Sequence, residues 1–366
     1  MRLQRLLLLD FKNYEEATIH LEKDVICFLG RNGSGKTNLL DAIYYLSFTK
    51  SAINPSDNQN IRFGKSQFMV KGFFEKAGKE HEVGCSYQQG AKKILMEDGS
   101  AVAKFSDHIG RYPVVLVAPQ DIELIWNGSE IRRKFFDSIL SQFDKVYLEN
   151  LIIYTNNLKQ RNSALKMFAE TGKVDRDLLA SYDQKLVPSG NTIYLKRKNL
   201  IKEFLPLFHK HYKYLSSEAE NATLDYKTEL ESTDLEKLLS QNLSKDIALQ
   251  RTTSGIHRDD FLFLINQNEL SRFGSQGQQK SFLTSLKLTE FEILSRYKNF
   301  KPILLLDDIF DKLDDLRISR LMKMIKEGMF GQLFITDARQ GQCKTILEVE
   351  QVDFQAIAIE NGRFVG

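Results

Sequence analysis

What the chain lacks narrows it first. Its 366 residues hold only three cysteines, Cys27, Cys85 and Cys343, with no C-x-x-C pair and no histidines at zinc-ligand spacing. A disulfide framework and a structural zinc are therefore not expected, and a reducing cytosol fits. Charge of one sign is also missing. The 51 lysines and arginines against 48 acids leave a net charge of +3, too little by itself to imply a nucleic-acid partner, although basic surface can be local. Long apolar runs are absent as well. Leu6 to Leu9 is stopped by Asp10, and neither a signal peptide nor a membrane span is readable, so a soluble, cytoplasmic protein is expected. There is no internal repeat, no low-complexity segment and no unbroken heptad pattern long enough for an extended coiled coil. With 42% hydrophobic and 27% charged residues, the chain is globular and long enough for one large domain plus a smaller lobe.

Against these absences stands one complete phosphate-loop pattern, G-x-x-x-x-G-K-[ST], at Gly30-Arg31-Asn32-Gly33-Ser34-Gly35-Lys36-Thr37. The apolar run Val25 to Leu29 before it predicts a buried strand. Asn38 to Leu46 after it has helical spacing. Strand, glycine loop and helix in that order are the setting in which backbone N–H groups and a helix N-terminus can cradle phosphate. Lys36 would reach the β- and γ-phosphates of ATP, and Thr37 would hold Mg²⁺ through its hydroxyl. A second part of the same site is predicted at Ile303-Leu304-Leu305-Leu306-Asp307-Asp308, an apolar strand ending in acid. Asp307 would bind the Mg²⁺ opposite Thr37, and Asp308 would orient or deprotonate the attacking water.

Around these, the pattern predicts strands over Leu3 to Phe11 and Thr18 to Leu21, with Lys12-Asn13-Tyr14 in the turn between them. Three further strands are expected over 68–74, 81–87 and 92–96, as an antiparallel layer against a parallel core, followed by a buried strand over Pro113 to Val117. The character changes near Trp126. A mainly helical lobe is expected over 126–250, interrupted by Pro188-Ser189-Gly190 before a basic helix at Tyr194 to Phe204. The ATPase lobe is expected over 1–125 and 251–366, resuming at a strand from Phe261 to Ile265. A long helix from the Ser275 region to about Tyr297, a helix Arg317 to Lys326, a strand Gln332 to Thr336 and two short closing strands complete it. The fold class is thus α/β, with an inserted second lobe.

At the start of that long helix, Ser275-Gln276-Gly277-Gln278 resembles the ABC-type signature Ser-Gly-Gly-Gln, with Gln276 in place of the first glycine. In ABC-type ATPases this loop meets the γ-phosphate held by the other subunit. The resemblance implies a head-to-tail nucleotide sandwich with two composite sites. Phe11-Lys12-Asn13-Tyr14, Gly30 to Asn38, His257-Arg258-Asp259-Asp260, Ser275 to Ser281 and Leu304 to Asp314 occur in that order. Together they resemble the RecF family of bacterial recombination-mediator ATPases, related to SMC heads. The resemblance runs from the first strand to about Thr336. It implies an ABC-type, SMC-head-like fold with a helical second lobe. It also implies an ATP-dependent homodimer that clamps duplex, gapped or junction DNA without sequence choice. Such a dimer assists RecO and RecR in loading RecA, within the SOS response, and slow, DNA-stimulated ATP hydrolysis resets it.

Carried over residue by residue, Lys36, Thr37, Asn38, Asp307 and Asp308 would be the Walker-type residues. Gln120 would be the Q-loop glutamine and Leu313-Asp314 the D-loop that crosses the dimer interface. Thr336-Asp337 occupies the switch region, where ABC transporters carry histidine. The family's Gly-Pro-His-Arg-Asp-Asp reads Gly255-Ile256-His257-Arg258-Asp259-Asp260 here, with the proline lost and no physical role evident beyond a charged turn before a strand. Candidate DNA contacts are Lys12, Lys50, Lys65, Arg132, Arg133 and Lys134, together with Lys196-Arg197-Lys198. Lys12 resembles the basic residue that couples DNA to hydrolysis in SMC heads. Rival readings are an ABC-type subunit of a transport or other DNA-associated system, an SMC-like or defence ATPase, and a nucleotide kinase.

Overall fold

A computed structural model describes residues 1–216, 220–309, 315–337 and 341–365. The expected D-loop, Leu313-Asp314, lies outside the described residues. The chain divides into two units. The first comprises residues 1–122, 211–217 and 276–366, and the second residues 123–210 and 218–275.

The first unit holds two six-stranded sheets. One is antiparallel, in the order β2-β1-β4-β5-β6-β7, built from β1 (Arg2–Phe11), β2 (Tyr14–His20), β4 (Gln67–Lys76), β5 (Lys79–Gln88), β6 (Ile94–Glu97) and β7 (Ser100–Ala101). The other runs β15-β14-β3-β13-β12-β8, with β3 (Val25–Leu29), β8 (Val114–Val117), β12 (Ile303–Leu306), β13 (Leu333–Asp337), β14 (Phe354–Glu360) and β15 (Arg363–Val365). All its pairings are parallel except β14 with the edge strand β15. β12 is apolar and buried along its whole length, which is the pattern of a parallel strand covered on both faces. Between the sheets the helix Lys36–Phe48 buries Leu39, Leu40, Ile43 and Leu46 in one core with Leu6, Phe11, Phe28, Phe68 and Phe334. The antiparallel layer on a parallel core is thus present.

The second unit differs from the expected lobe in extent and in kind. It continues to residue 275 rather than 250, and it contains its own antiparallel sheet, β11-β10-β9, of β9 (Ala222–Lys227), β10 (Asp260–Ile265) and β11 (Asn268–Glu269). The strand read as the return of the ATPase lobe, Phe261 to Ile265, pairs instead with β9. Its alternating burial is that of a sheet covered on one face. Nor do Pro188-Ser189-Gly190 break the chain, because they lie inside one helix, Arg176–Leu215. The missing side chain of Gly190 explains why. A Cβ there would overlap the Leu235 side chain and stand 3.1 Å from the Tyr154 ring, so packing against these groups keeps the helix running through a local breaker.

Cys27 on β3 and Cys343 in the helix Gln342–Val349, both fully buried, are brought face to face across 316 residues of chain, a separation at which spacing carries no signal.

Candidate functional site

Four neighbouring parallel strands, β3, β13, β12 and β8, end at the same edge of their sheet, the edge where open α/β sheets place ligands. Beyond β3 comes the glycine loop, beyond β12 Asp307 and Asp308, at the end of β13 Thr336 and Asp337, and beyond β8 the turn holding Gln120. Strand register alone therefore gathers residues separated by about three hundred positions in sequence.

The loop is shaped for an anion. Gly35 has φ +114 and caps the helix Lys36–Phe48, whose first N–H groups face the loop. A Cβ on Gly35 would lie within 3 Å of Asn13 and of the Tyr14 hydroxyl, so only glycine fits. The reason is a clamp that the sequence did not reveal. The Tyr14 hydroxyl donates to the Gly35 carbonyl at 3.1 Å, and Asn13 Nδ2 donates to the Ser34 carbonyl at 3.1 Å. Asn38 Nδ2 donates to Asn13 Oδ1 at 2.7 Å. From the other end of the chain, the Gly362 amide donates to the same Ser34 carbonyl at 2.9 Å. A cleft of about 530 Å³ adjoins the loop, with Arg31, Asn32, Glu360 and Asn361 in its walls. Lys36 is buried, and its ammonium donates to the Gly30 carbonyl (2.8 Å) and the Arg31 carbonyl (3.1 Å), poised over the mouth of the loop.

The loop and the acidic strand are joined by a short relay. Thr37 Oγ1 donates to Asp307 Oδ1 at 2.9 Å, Thr336 Oγ1 donates to the same oxygen at 2.7 Å, and the Asp308 amide donates to Thr336 Oγ1 at 2.9 Å. Burial raises the Asp307 carboxyl above its usual range, partly offset by the two hydroxyl donors. A divalent cation at this point would remove that penalty, and hydroxyl plus carboxylate is the hard-oxygen set that Mg²⁺ prefers. Asp308 sits at φ +47, an unusual conformation for a residue other than glycine. Thr336 was read only as part of a switch without histidine, and its hydroxyl turns out to be the bridge between the two acids. Asp337 Oδ2 accepts from the Cys343 amide at 2.7 Å. Gln120 is exposed on the turn after β8. The signature tetrapeptide straddles the boundary in sequence between the units, with Ser275 ending the second and Gln276 opening the long helix Gln276–Lys298 of the first.

The basic candidates divide sharply. Lys12 is not a surface contact. Its ammonium lies 2.6 Å from Asp41, and both side chains are almost fully buried. Arg132 is held by Asp260 through two hydrogen bonds of 2.8 and 2.9 Å, and Arg133 donates to the Asp259 carbonyl and Ser129. Arg197, 1% exposed, lies between Asp137 and Asp259. These three arginines are internal supports of the second unit, a correction to their reading as DNA contacts. A basic triplet on a helix does not disclose acids that are distant in sequence. Lys50 and Lys134 are exposed, the latter beside Glu130, and Lys65 is half exposed, 3.8 Å from Asp10. Lys196 meets Asp144, and Lys198 meets Glu231.

The same network assigns the charged turn that had no role. Asp259 accepts from Arg197 and from the Tyr226 hydroxyl (2.6 Å), while Asp260 takes Arg132. His257 Nε2 donates to the Thr252 carbonyl at 3.1 Å, which leaves Nδ1 to accept from Tyr154 at 2.8 Å. The turn is the structural hub of the second unit.

The RecF/RecN/SMC N terminal domain family model matches residues 2–360. The DNA replication and repair protein RecF of Flavobacterium johnsoniae is 45% identical over 348 residues, covering 95% of this chain and 97% of that one. Its counterpart in Cytophaga hutchinsonii is 44% identical over 363 residues, with 99% and 96% coverage. A solved structure described as the recombination mediator protein RecF-ATP in the RecFOR pathway superposes with a TM-score of 0.89 at 29% identity, covering 99% of this chain and 96% of that one. An Smc head bound to the C-terminal winged-helix domain of ScpA gives a TM-score of 0.57 at 14% identity, over 100% and 96% of the two chains, and shares the fold alone.

Proposed function

The chain belongs to the RecF proteins of the RecF/RecN/SMC N-terminal domain family, and from that membership we propose an ATP-dependent DNA-binding protein of recombinational repair and replication restart. ATP bound to each of two copies joins them into a dimer that clamps DNA at gaps or junctions. The dimer then works with RecO- and RecR-type partners in loading RecA, and slow hydrolysis to ADP and phosphate releases it.

One observation carries the chemistry, the relay Thr37–Asp307–Thr336–Asp308 at the mouth of the glycine loop. The amides of Gly33 to Thr37 hold the phosphates of ATP. The Lys36 ammonium leaves the Gly30 and Arg31 carbonyls for the β- and γ-phosphate oxygens. Mg²⁺ held by Thr37 and Asp307 would neutralise charge that develops on the transferred group. Asp308, fixed by its amide to Thr336, orients the attacking water and accepts its proton, and Gln120 faces the same edge of the sheet. Ser275 to Gln278 serve the γ-phosphate of the opposite copy. Lys50, Lys65 and Lys134 remain as phosphate contacts, and they give affinity without base readout.

Titrating gapped duplex DNA with the protein in ATP, in ADP and in a non-hydrolysable ATP analogue tests this reading. Tight binding is expected with ATP and the analogue and weak binding with ADP. Equal affinity in all three would overturn it.

A further inference from the structure

Behind the nucleotide edge lies a buried group of charges that the chemistry above does not use. Lys287, 9% exposed, is on the helix Gln276–Lys298, and its ammonium stands 3.0 Å from Asp121 Oδ1 and 3.7 Å from Glu290 Oε2. That Glu290 oxygen is buried and makes no hydrogen bond among the described residues. Burial raises the Glu290 carboxyl to about 7. Lys287 is thus held chiefly by the closer carboxylate, Asp121, in a largely buried ion pair, with Glu290 beside it. Tyr44, on the helix that follows the phosphate loop, lies in the field of Glu290 and Asp121.

Asp121 has a second task. Its Oδ2 accepts from the Ala118 amide at 2.7 Å, and its own amide donates to the Ala118 carbonyl at 3.0 Å. One carboxylate thus closes the turn that presents Gln120 and, through its other oxygen, grips the long helix. Lys287 lies eleven residues beyond Gln276, about three turns and about 16 Å along the axis, on nearly the same face. The helix between them is a stiff rod. Phe282 and Leu286 are fully buried, and Ser281, itself buried, accepts from Arg317 at 2.7 Å. The helix thus offers a continuous, packed path from the Gln120 turn to its signature end.

We propose that Lys287 is a positioning residue that couples the Gln120 turn to the signature end of this helix, acting through Asp121 and not through contact with nucleotide. The inference rests on the ATP-driven dimer proposed above. Its test compares the wild type with Lys287→Met, Lys287→Arg and Asp121→Asn. A fluorescent ATP analogue bound to dilute monomer reads nucleotide affinity. Sedimentation velocity with ATP reads dimer formation, and hydrogen exchange over residues 276–282, with and without ATP, reads the coupling inside one copy. Lys287→Met and Asp121→Asn should bind the analogue about as tightly as the wild type. They should need roughly tenfold more protein to dimerise, within the ordinary span of coupling between sites, and should lose the ATP-dependent change in exchange. Lys287→Arg should restore both. Wild-type behaviour of Lys287→Met in dimerisation and exchange would overturn the proposal. So would a parallel loss of nucleotide binding in both Lys287 variants, which marks a merely structural lysine. If the wild type itself does not dimerise, the dimer reading fails, and the exchange comparison still decides the role of Lys287.

Discussion

Asp308 stands in a left-handed conformation at φ +47 with its amide bonded to Thr336, a strained placement held by the surrounding strands. Asp308→Asn is expected to keep ATP binding while slowing single-turnover phosphate release by about 10² to 10⁴-fold, the usual worth of a positioned base. An unchanged rate would remove Asp308 from the chemistry. Lys36→Met should abolish nucleotide binding, whereas Ser275→Arg should spare binding and block dimer formation. Loss of binding in both would argue against a role for Ser275 in the opposite copy. His257 supplies a pH dependence. Desolvation, aided by Arg258 and Arg133, lowers it to about 4, while Asp246 and the Thr252 carbonyl pull the other way. The folded state refuses a proton that the unfolded chain accepts near pH 6.5, so stability is full above that pH and falls as pH drops toward 4. Denaturant unfolding from pH 7 to pH 4.5 should show a loss in the wild type that exceeds the loss in His257→Gln by about 1–3 kcal/mol. Parallel curves would deny His257 that part.

At the scale of elements, the clamp on the glycine loop and the hub around Arg197 are the two supports whose removal is informative. Tyr14→Phe removes the hydroxyl that shares the Gly35 carbonyl with the Leu39 amide. It is expected to cost about 0.5–1.5 kcal/mol, read as weaker ATP binding by calorimetry together with a lower Tm. Arg197→Met strands Asp137 and Asp259 and should destabilise the second unit by about 3–5 kcal/mol in chemical denaturation. How much of this was legible in the sequence follows from where the information sits. The loop, the strand before it and the acidic strand were readable because phosphate chemistry fixes residue types at short spacing. The antiparallel layer was readable from alternation and turn glycines. Arg132, Arg133 and Arg197 were misread because the Asp260 carboxylate, the Asp259 carbonyl and the Asp137 and Asp259 carboxylates that hold them come from distant elements. Pro188 was misread because local propensity yields to the packing that Gly190 permits. Lys12, read as a contact for DNA, is turned inward by Asp41 on the neighbouring helix. Thr336 looked like the absence of a histidine, and only the register of β13 against β12 shows its hydroxyl bridging Asp307 and Asp308.

For the molecule as a whole, the proposed clamp has an electrostatic signature. Contacts to phosphate through lysines predict that duplex affinity in the presence of ATP falls steeply between about 50 and 200 mM salt, whereas a flat profile would exclude a backbone clamp. The long separations in the site carry a further consequence. β3, which delivers the glycine loop, is flanked in its sheet by β13 and β14 alone, and the loop is held in part by Gly362. During synthesis the early-emerging phosphate loop must wait, with both edges of its strand bare, until β13 and β14, about three hundred residues later, have been made. A nascent chain that has not reached these strands cannot yet form the sheet that carries the loop.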